Sequence, residues 1–320
     1  MNLQLLIDNL TNPALLFFIL GVLAVQVKSD LEIPENSAKF ISIYLLFAIG
    51  FKGGQELAHS TFSVDILWVV IFCLLASFLV PLYSFFILKK KLSIDNSVAI
   101  AAAYGSVSAV TFVTAISFLE IQGMGYNGHM VAMLAMMEVP AIIIAVILLK
   151  YYSTKTSTTS IGSIIKHSLT NGSVFLVIGS LVIGFLASEK QALEIKPFTN
   201  DIFKGFLAVF LLDKGIESGK NLKGFFNNGW FTTGFAILLP FINGVVVAWA
   251  TQFFISDVSD RFMIAVLAAS ASYIAVPAAM KTIVPNANPG LYIPMALAIT
   301  FPFNITIGMP VYLMVINIFK

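Results

Sequence analysis

Two short runs carry hydroxyl groups into otherwise apolar stretches: Ala103-Tyr-Gly105-Ser106-Val-Ser108-Ala109 and Ala268-Ala269-Ser270-Ala-Ser272-Tyr273. Each places a Ser-x-Ser among small residues, and each falls at a corresponding place in one half of the chain. Ser hydroxyls and small side chains let a buried helix unwind while its freed backbone groups stay bonded. Two such breaks facing each other would present two half-helix N-termini, each with free N–H donors and about half a positive charge. That chemistry suits a small anion. The same small residues could instead serve close helix packing alone, and only their duplication favours the anion site.

Glu138, in Met136-Met-Glu138-Val-Pro140, is the second candidate. An ionisable group deep in an apolar helix costs about 2.5–3.5 kcal/mol on insertion scales, so its presence asks for a function. Pro140 removes the N–H that would bond the Met136 carbonyl one turn earlier. Carboxylate, carbonyl and hydroxyl oxygens together suit a hard cation such as Na⁺. A salt bridge to a buried Lys, or a protonated structural carboxyl, are the competing readings. The matched segment of the second half supplies neutral oxygens at Thr300 and Asn304.

These residues need a membrane scaffold to position them. The 320 residues are 58% hydrophobic and 11% charged, against roughly 25% charged in soluble domains. Apolar runs continue for about 20 residues, long enough to cross the hydrocarbon core as helices, and they do not alternate as barrel strands would. Ten spans are predicted, at 13–27, 39–59, 66–88, 95–118, 130–152, 173–187, 201–219, 230–255, 260–284 and 290–319. The fold expected is an all-α polytopic membrane protein. The first run lacks a basic leader and reads as a retained helix. The lone Cys73 excludes disulfides, and the net charge of +2 gives no reason to expect nucleic acid.

Five spans fall in each half, giving a first repeat at 1–152, a short cytoplasmic linker at 153–170 and a second repeat at 171–320. The halves align with nearly constant offset. Gly21 falls on Gly179 (158), Lys52-Gly53 on Lys214-Gly215 and Trp68 on Trp230 (162), the Ser-x-Ser pairs on each other (164), and Pro140 on Pro302 (162). Because five is odd, the second copy crosses the membrane the other way, as an inverted repeat. Eleven of the basic residues, from Lys28 to Lys281, flank one side; Lys190, Lys196, Lys204, Arg261 and Lys320 flank the other. The positive-inside rule then puts both termini outside the cytoplasm, in a bacterial inner membrane.

Other polar residues read as structural. Asp213 and Lys214 are sequence neighbours, about 100° apart on a helix, and are expected not to pair directly. Together with Lys52, Glu56 and Glu217 they are expected near span ends, with their heads snorkelling to water. His59, His129 and His167 are expected as solvated interface residues. No phosphate loop or nucleophile–base set occurs, so no ATP-driven pump and no enzyme is expected.

Taken together, Gly105-Ser-Val-Ser-Ala, Glu138-Val-Pro-Ala, Ala268-Ala-Ser-Ala-Ser-Tyr-Ile-Ala-Val-Pro and Pro285-Asn-Ala-Asn-Pro-Gly-Leu-Tyr-Ile resemble the sodium-dependent bicarbonate permeases first known from cyanobacteria. The resemblance runs over essentially the whole chain. It implies ten helices in two inverted five-helix repeats, with helices 4 and 9 broken and crossing, and a homotrimer. It implies uptake of bicarbonate with Na⁺ as the coupling ion and no other cofactor. Gly105, Ser106, Ser108, Ala269, Ser270 and Ser272 would hold the anion, with Glu138, Thr111, Met136, Thr300 and Asn304 around Na⁺. This chain departs from the pattern at Tyr273, Ala275 and Val276, where an Asp and then Ser-Gly-Pro are usual, and at Ala109-Val110, where Gly-Ser is usual. Another small anion or organic acid, coupled to Na⁺ or H⁺, is therefore the alternative, followed by a channel or sensor. The short 153–170 linker gives no support for a PII-like regulatory partner.

Overall fold

The computed structural model describes residue 9 and residues 11–60, 63–153, 162, 166, 170–225 and 229–319. Most of the predicted linker 153–170 lies outside the described residues, as do Lys155, His167 and Lys320. Every element among the described residues is helical, with no strand.

The helices are α1 (Pro13–Gln26), α2 (Glu35–His59), α3 (Val64–Leu88), α4 (Ile94–Gly105), α5 (Ala109–Ile121), α6 (His129–Met136) and α7 (Glu138–Tyr152) in the first half. The second half gives α8 (Gly172–Leu186), α9 (Glu189–Lys196), α10 (Phe203–Phe225), α11 (Trp230–Ala250), α12 (Val258–Ala268), α13 (Ala275–Ile283) and α14 (Pro289–Ile318). Among the described residues, five segments are long and apolar enough to cross a membrane: Val64–Leu88, Ile94–Ile121, His129–Tyr152, Trp230–Phe253 and Pro289–Ile318. Side chains set the starts of several helices. Asn12 accepts from the Ala14 amide with Pro13 in the first turn, Asn171 caps α8, Asp257 caps α12, and Asn288 caps α14 ahead of Pro289. The short amphipathic α9 was not anticipated, although Ser188 and Gln191 form a capping box that is visible in sequence.

Packing divides the helices into two bodies. In the first, α1 lies along α10 and α2 along α8, with α2 also touching α10. Glycines make this approach possible. A Cβ on Gly21 would collide with the Leu212 carbonyl and one on Gly215 with the Phe18 carbonyl. In the other pair, Gly54 and Gly184 meet the backbones of Leu181 and Phe51. Without a hydrophobic drive between helices in lipid, such close backbone contact is a main source of association. The second body gathers α3, α4 and α7 with α11, α12 and α14. Its α4 and α5 are nearly all buried, whereas α3 and α11 expose much of their apolar surface.

Two expectations about polar residues are corrected. Lys214 sits in the middle of α10, with its Nζ 3.0 Å from Asp213 and 2.8 Å from Glu217. The 100° between neighbouring Cβ atoms is spanned by the long Lys stem, and partial burial, at 13% side-chain exposure, favours the two carboxylates over water as partners. His129 is 6% exposed, not solvated, and its Nε2 lies 3.0 Å from Asp260 Oδ2. Asn127 donates to the other oxygen of that carboxylate at 3.0 Å. His59, by contrast, is exposed beside Glu189.

Candidate functional site

Both Ser-x-Ser runs break their helices. The chain leaves α4 at Gly105, passes through extended Ser106 and Ser108, and re-enters a helix at Ala109. It leaves α12 at Ala268 and re-enters at Ala275. Gly105 is required by the close passage of α3, since a Cβ there would lie 2.5 Å from the Pro81 ring. The two breaks are stitched to each other. The Ser108 amide donates to Ser270 Oγ at 3.1 Å, and the Ser272 amide donates to the Ala103 carbonyl at 2.8 Å.

Carbonyls freed at the second break are held by side-chain amides. Asn243 Nδ2 donates to Ala268 O at 3.3 Å and Asn304 Nδ2 to Ala269 O at 2.6 Å. Tyr83 and Tyr312 in turn donate to the oxygens of these two amides, at 2.6 and 2.8 Å. Thr300 donates to Ala236 O at 2.7 Å, which leaves Tyr104 as the donor to Thr300 Oγ1 at 2.7 Å. Thr300 and Asn304 lie in the π-helical turns Met295–Thr300 and Asn304–Gly308 of α14, a distortion that often accompanies function.

The second serine of each pair caps the helix that follows. Ser108 Oγ accepts from the Thr111 amide at 3.1 Å and the Ser108 carbonyl from Phe112 at 3.0 Å. Ser272 Oγ accepts from Val276 at 3.2 Å. A helix start leaves its first amides unbonded, and among the described residues these caps leave those of Ala109, Val110 and Ala275 without a partner. The amides of Ser106, Ser108, Ser270 and Ser272 themselves are all used, by Ala102, Ser270, Leu267 and Ala103. The free donors thus lie one and two residues beyond Ser108 and three beyond Ser272.

Those donors open onto one cavity of about 40 Å³, room for about three water-sized groups. Val107 to Val110 line it from one break and Ser272 to Ala275 from the other, with Ser42, Ser173 and Phe210 contributed by the first body. Glu138 completes the lining. It is 7% exposed and has no ion pair or hydrogen bond among the described residues. It begins α7 just after a turn at Met137, whose carbonyl accepts from the Ser77 hydroxyl.

A larger cavity of about 1300 Å³ adjoins the small one and shares Ser42, Leu46, Ser173 and Ile274 with it. Lys39, Asp213, Lys214, Glu217 and Lys220 line this vestibule, together with Glu32 and Asn171. At the opposite end of the molecule, Glu120 of the second body bridges Lys52 at 3.5 Å and Lys204 at 3.3 Å of the first.

Of the expected site residues, Ser108, Ser272 and Glu138 share the cavity. Gly105, Ser106, Ala269 and Ser270 are buried in or beside the two breaks and do not line it. Thr111, Thr300 and Asn304 are buried, but neither they nor Met136 line it, and the Met136 side chain is 42% exposed on the outer face. Helix N-terminal donors and Tyr273 near the pocket were expected; that the donors are Ala109, Val110 and Ala275, and that Ser42 and Ser173 line the cavity, was not. The N-cap preference of Ser would have pointed to the amides.

A chain of this kind, all-helical with membrane-length segments and a buried polar site between broken helices, is a membrane transport protein. The family model of the Na⁺-dependent bicarbonate transporter superfamily matches residues 13–317, nearly the whole chain, and the chain belongs to that superfamily. Among curated proteins, no match is found.

Proposed function

We propose that the protein takes up bicarbonate together with Na⁺ by alternating access. One observation carries this reading: an unpaired, buried Glu138 carboxylate shares a small cavity with the first-turn amides of two helices that start inside the molecule. The amides favour an anion; the carboxylate, flanked by the Ser108 and Ser272 hydroxyls, favours a hard cation. A carboxylate alone would repel bicarbonate, so cation and anion bind best together. Glu138 is the proposed Na⁺ ligand, with Thr111, Thr300 and Asn304 holding the surrounding backbone in place. Family membership supports both ions.

Ten spans in two inverted repeats are the proposed architecture. It is supported by the reciprocal packing of α1 on α10 and α8 on α2, in which the first span of each half lies against the second span of the other. The vestibule takes Lys39 and Lys220 from the side of the molecule that carries most of the Lys residues, so under the positive-inside rule this is an inward-facing form, with both termini outside a bacterial inner membrane. A homotrimer follows from the resemblance alone.

Uptake of labelled bicarbonate into proteoliposomes tests the proposal. An inward Na⁺ gradient drives accumulation, and replacing Na⁺ with K⁺ abolishes it; equal uptake in the two cations would overturn the coupling. The unpaired carboxylate also suits a proton in place of Na⁺, and uptake that follows an imposed pH gradient in K⁺ would select that second reading.

A further inference from the structure

Tyr273 follows the second Ser-x-Ser and lines the cavity together with Glu138. It is 7% exposed, and its hydroxyl has no hydrogen-bond partner. Its neighbour is the Ser108 hydroxyl, which accepts from the Thr111 amide at 3.1 Å. The ring is fixed against Phe301, with centroids 6.3 Å apart and planes at 59°. Its backbone is fixed on one side by the bond from the Ser272 amide to Ala103 and on the other by the start of α13.

A buried hydroxyl without a partner weakens the folded state, because its bonds to water are lost and not replaced. Phenylalanine would fill the same space against Phe301 without that penalty. Glu138, the one carboxylate lining the same cavity, does not take the proton, so donor and acceptor both remain available to whatever enters. Because the phenol is neutral, it adds a directed donor without adding charge. The cavity holds only a few water-sized groups, which limits the acceptor to a small oxyanion.

We propose that Tyr273 is a specificity-determining residue, its hydroxyl donating to an oxygen of a small oxyanion held by the Ala109, Val110 and Ala275 amides. This rests on the reading of the cavity as the transport site.

Tyr273→Phe tests it in the full-length protein in proteoliposomes and in detergent. A hydrogen bond to a charged group is typically worth a factor of about 10 to 100 in affinity. The KM for bicarbonate accordingly rises about tenfold or more, while half-saturation by Na⁺, measured at saturating bicarbonate, is unchanged. The ligand-free variant melts at the same temperature as wild type or higher, since no bond is lost, and bicarbonate raises its melting temperature less than it raises that of wild type. An unchanged KM alongside active wild-type uptake overturns the role of Tyr273 and leaves the transport reading standing. A lower melting temperature of the ligand-free variant also overturns it, by making the hydroxyl a structural donor. Failure of wild type to take up or be stabilised by bicarbonate overturns the transport reading and this proposal together.

Discussion

At the scale of single residues, the site separates groups that hold backbone from groups left open. Asn304 is the clearest of the first kind. It is fully buried, it secures the Ala269 carbonyl at the second break, and it accepts from Tyr312. Asn304→Ala would leave both partners buried without a bond, at about 1–3 kcal/mol each. The expected result is a clear drop in thermal stability with Na⁺ half-saturation unchanged; a selective loss of Na⁺ dependence would instead make Asn304 an ion ligand. Glu138 is the clearest of the second kind. The types of these residues were readable in the sequence, because a carboxylate or an amide deep in an apolar run is conspicuous. Their partners were not, since a hydrogen bond between residues as far apart as Ala269 and Asn304 depends on how two helices cross. For the same reason the sequence misjudged His129, whose partner Asp260 is 131 residues away.

Helices show the opposite balance. Their extents follow closely from the sequence, because run length and Gly, Pro and Ser punctuation act locally: Val64–Leu88 was expected at 66–88 and Gly172–Leu186 at 173–187. What the runs could not show is how deep a charged residue sits along its helix, hence the misplaced Lys214. Contacts between elements yield two predictions. Gly215→Leu drives a side chain into the Phe18 carbonyl, so α1 can no longer lie on α10; loss of monodisperse protein in size-exclusion chromatography is expected, whereas a change at the open Gly234 is tolerated. Glu120→Gln removes both bridges between the bodies at the end away from the vestibule. Part-exposed pairs of this kind contribute about 0.2–1 kcal/mol each, so the population shift is up to roughly fivefold per bridge. Labelling of Ser42→Cys from the vestibule side by an impermeant thiol reagent should slow accordingly, with the buried native Cys73 silent. An unchanged labelling rate would mean that the bridges do not hold that end closed.

For the molecule as a whole, a body of glycine-packed helices stands against a second body carrying both helix breaks, and the cavity takes lining from each. A vestibule reaches the cavity from one face while charge bridges span the bodies toward the other. Access to one face at a time is what the proposed alternating carrier requires, and in such a carrier ions bias the cycle only through different affinities in the two forms. Under the proposed mechanism, Glu138 is the point where the cation enters the cycle. The most direct test is the initial rate of bicarbonate uptake as a function of Na⁺ concentration in proteoliposomes, for wild type and Glu138→Gln at equal amounts of folded protein. The account predicts a saturable Na⁺ dependence in wild type that is lost in the variant, with uptake falling at least tenfold at low Na⁺. Superimposable Na⁺ curves for the two proteins would contradict it.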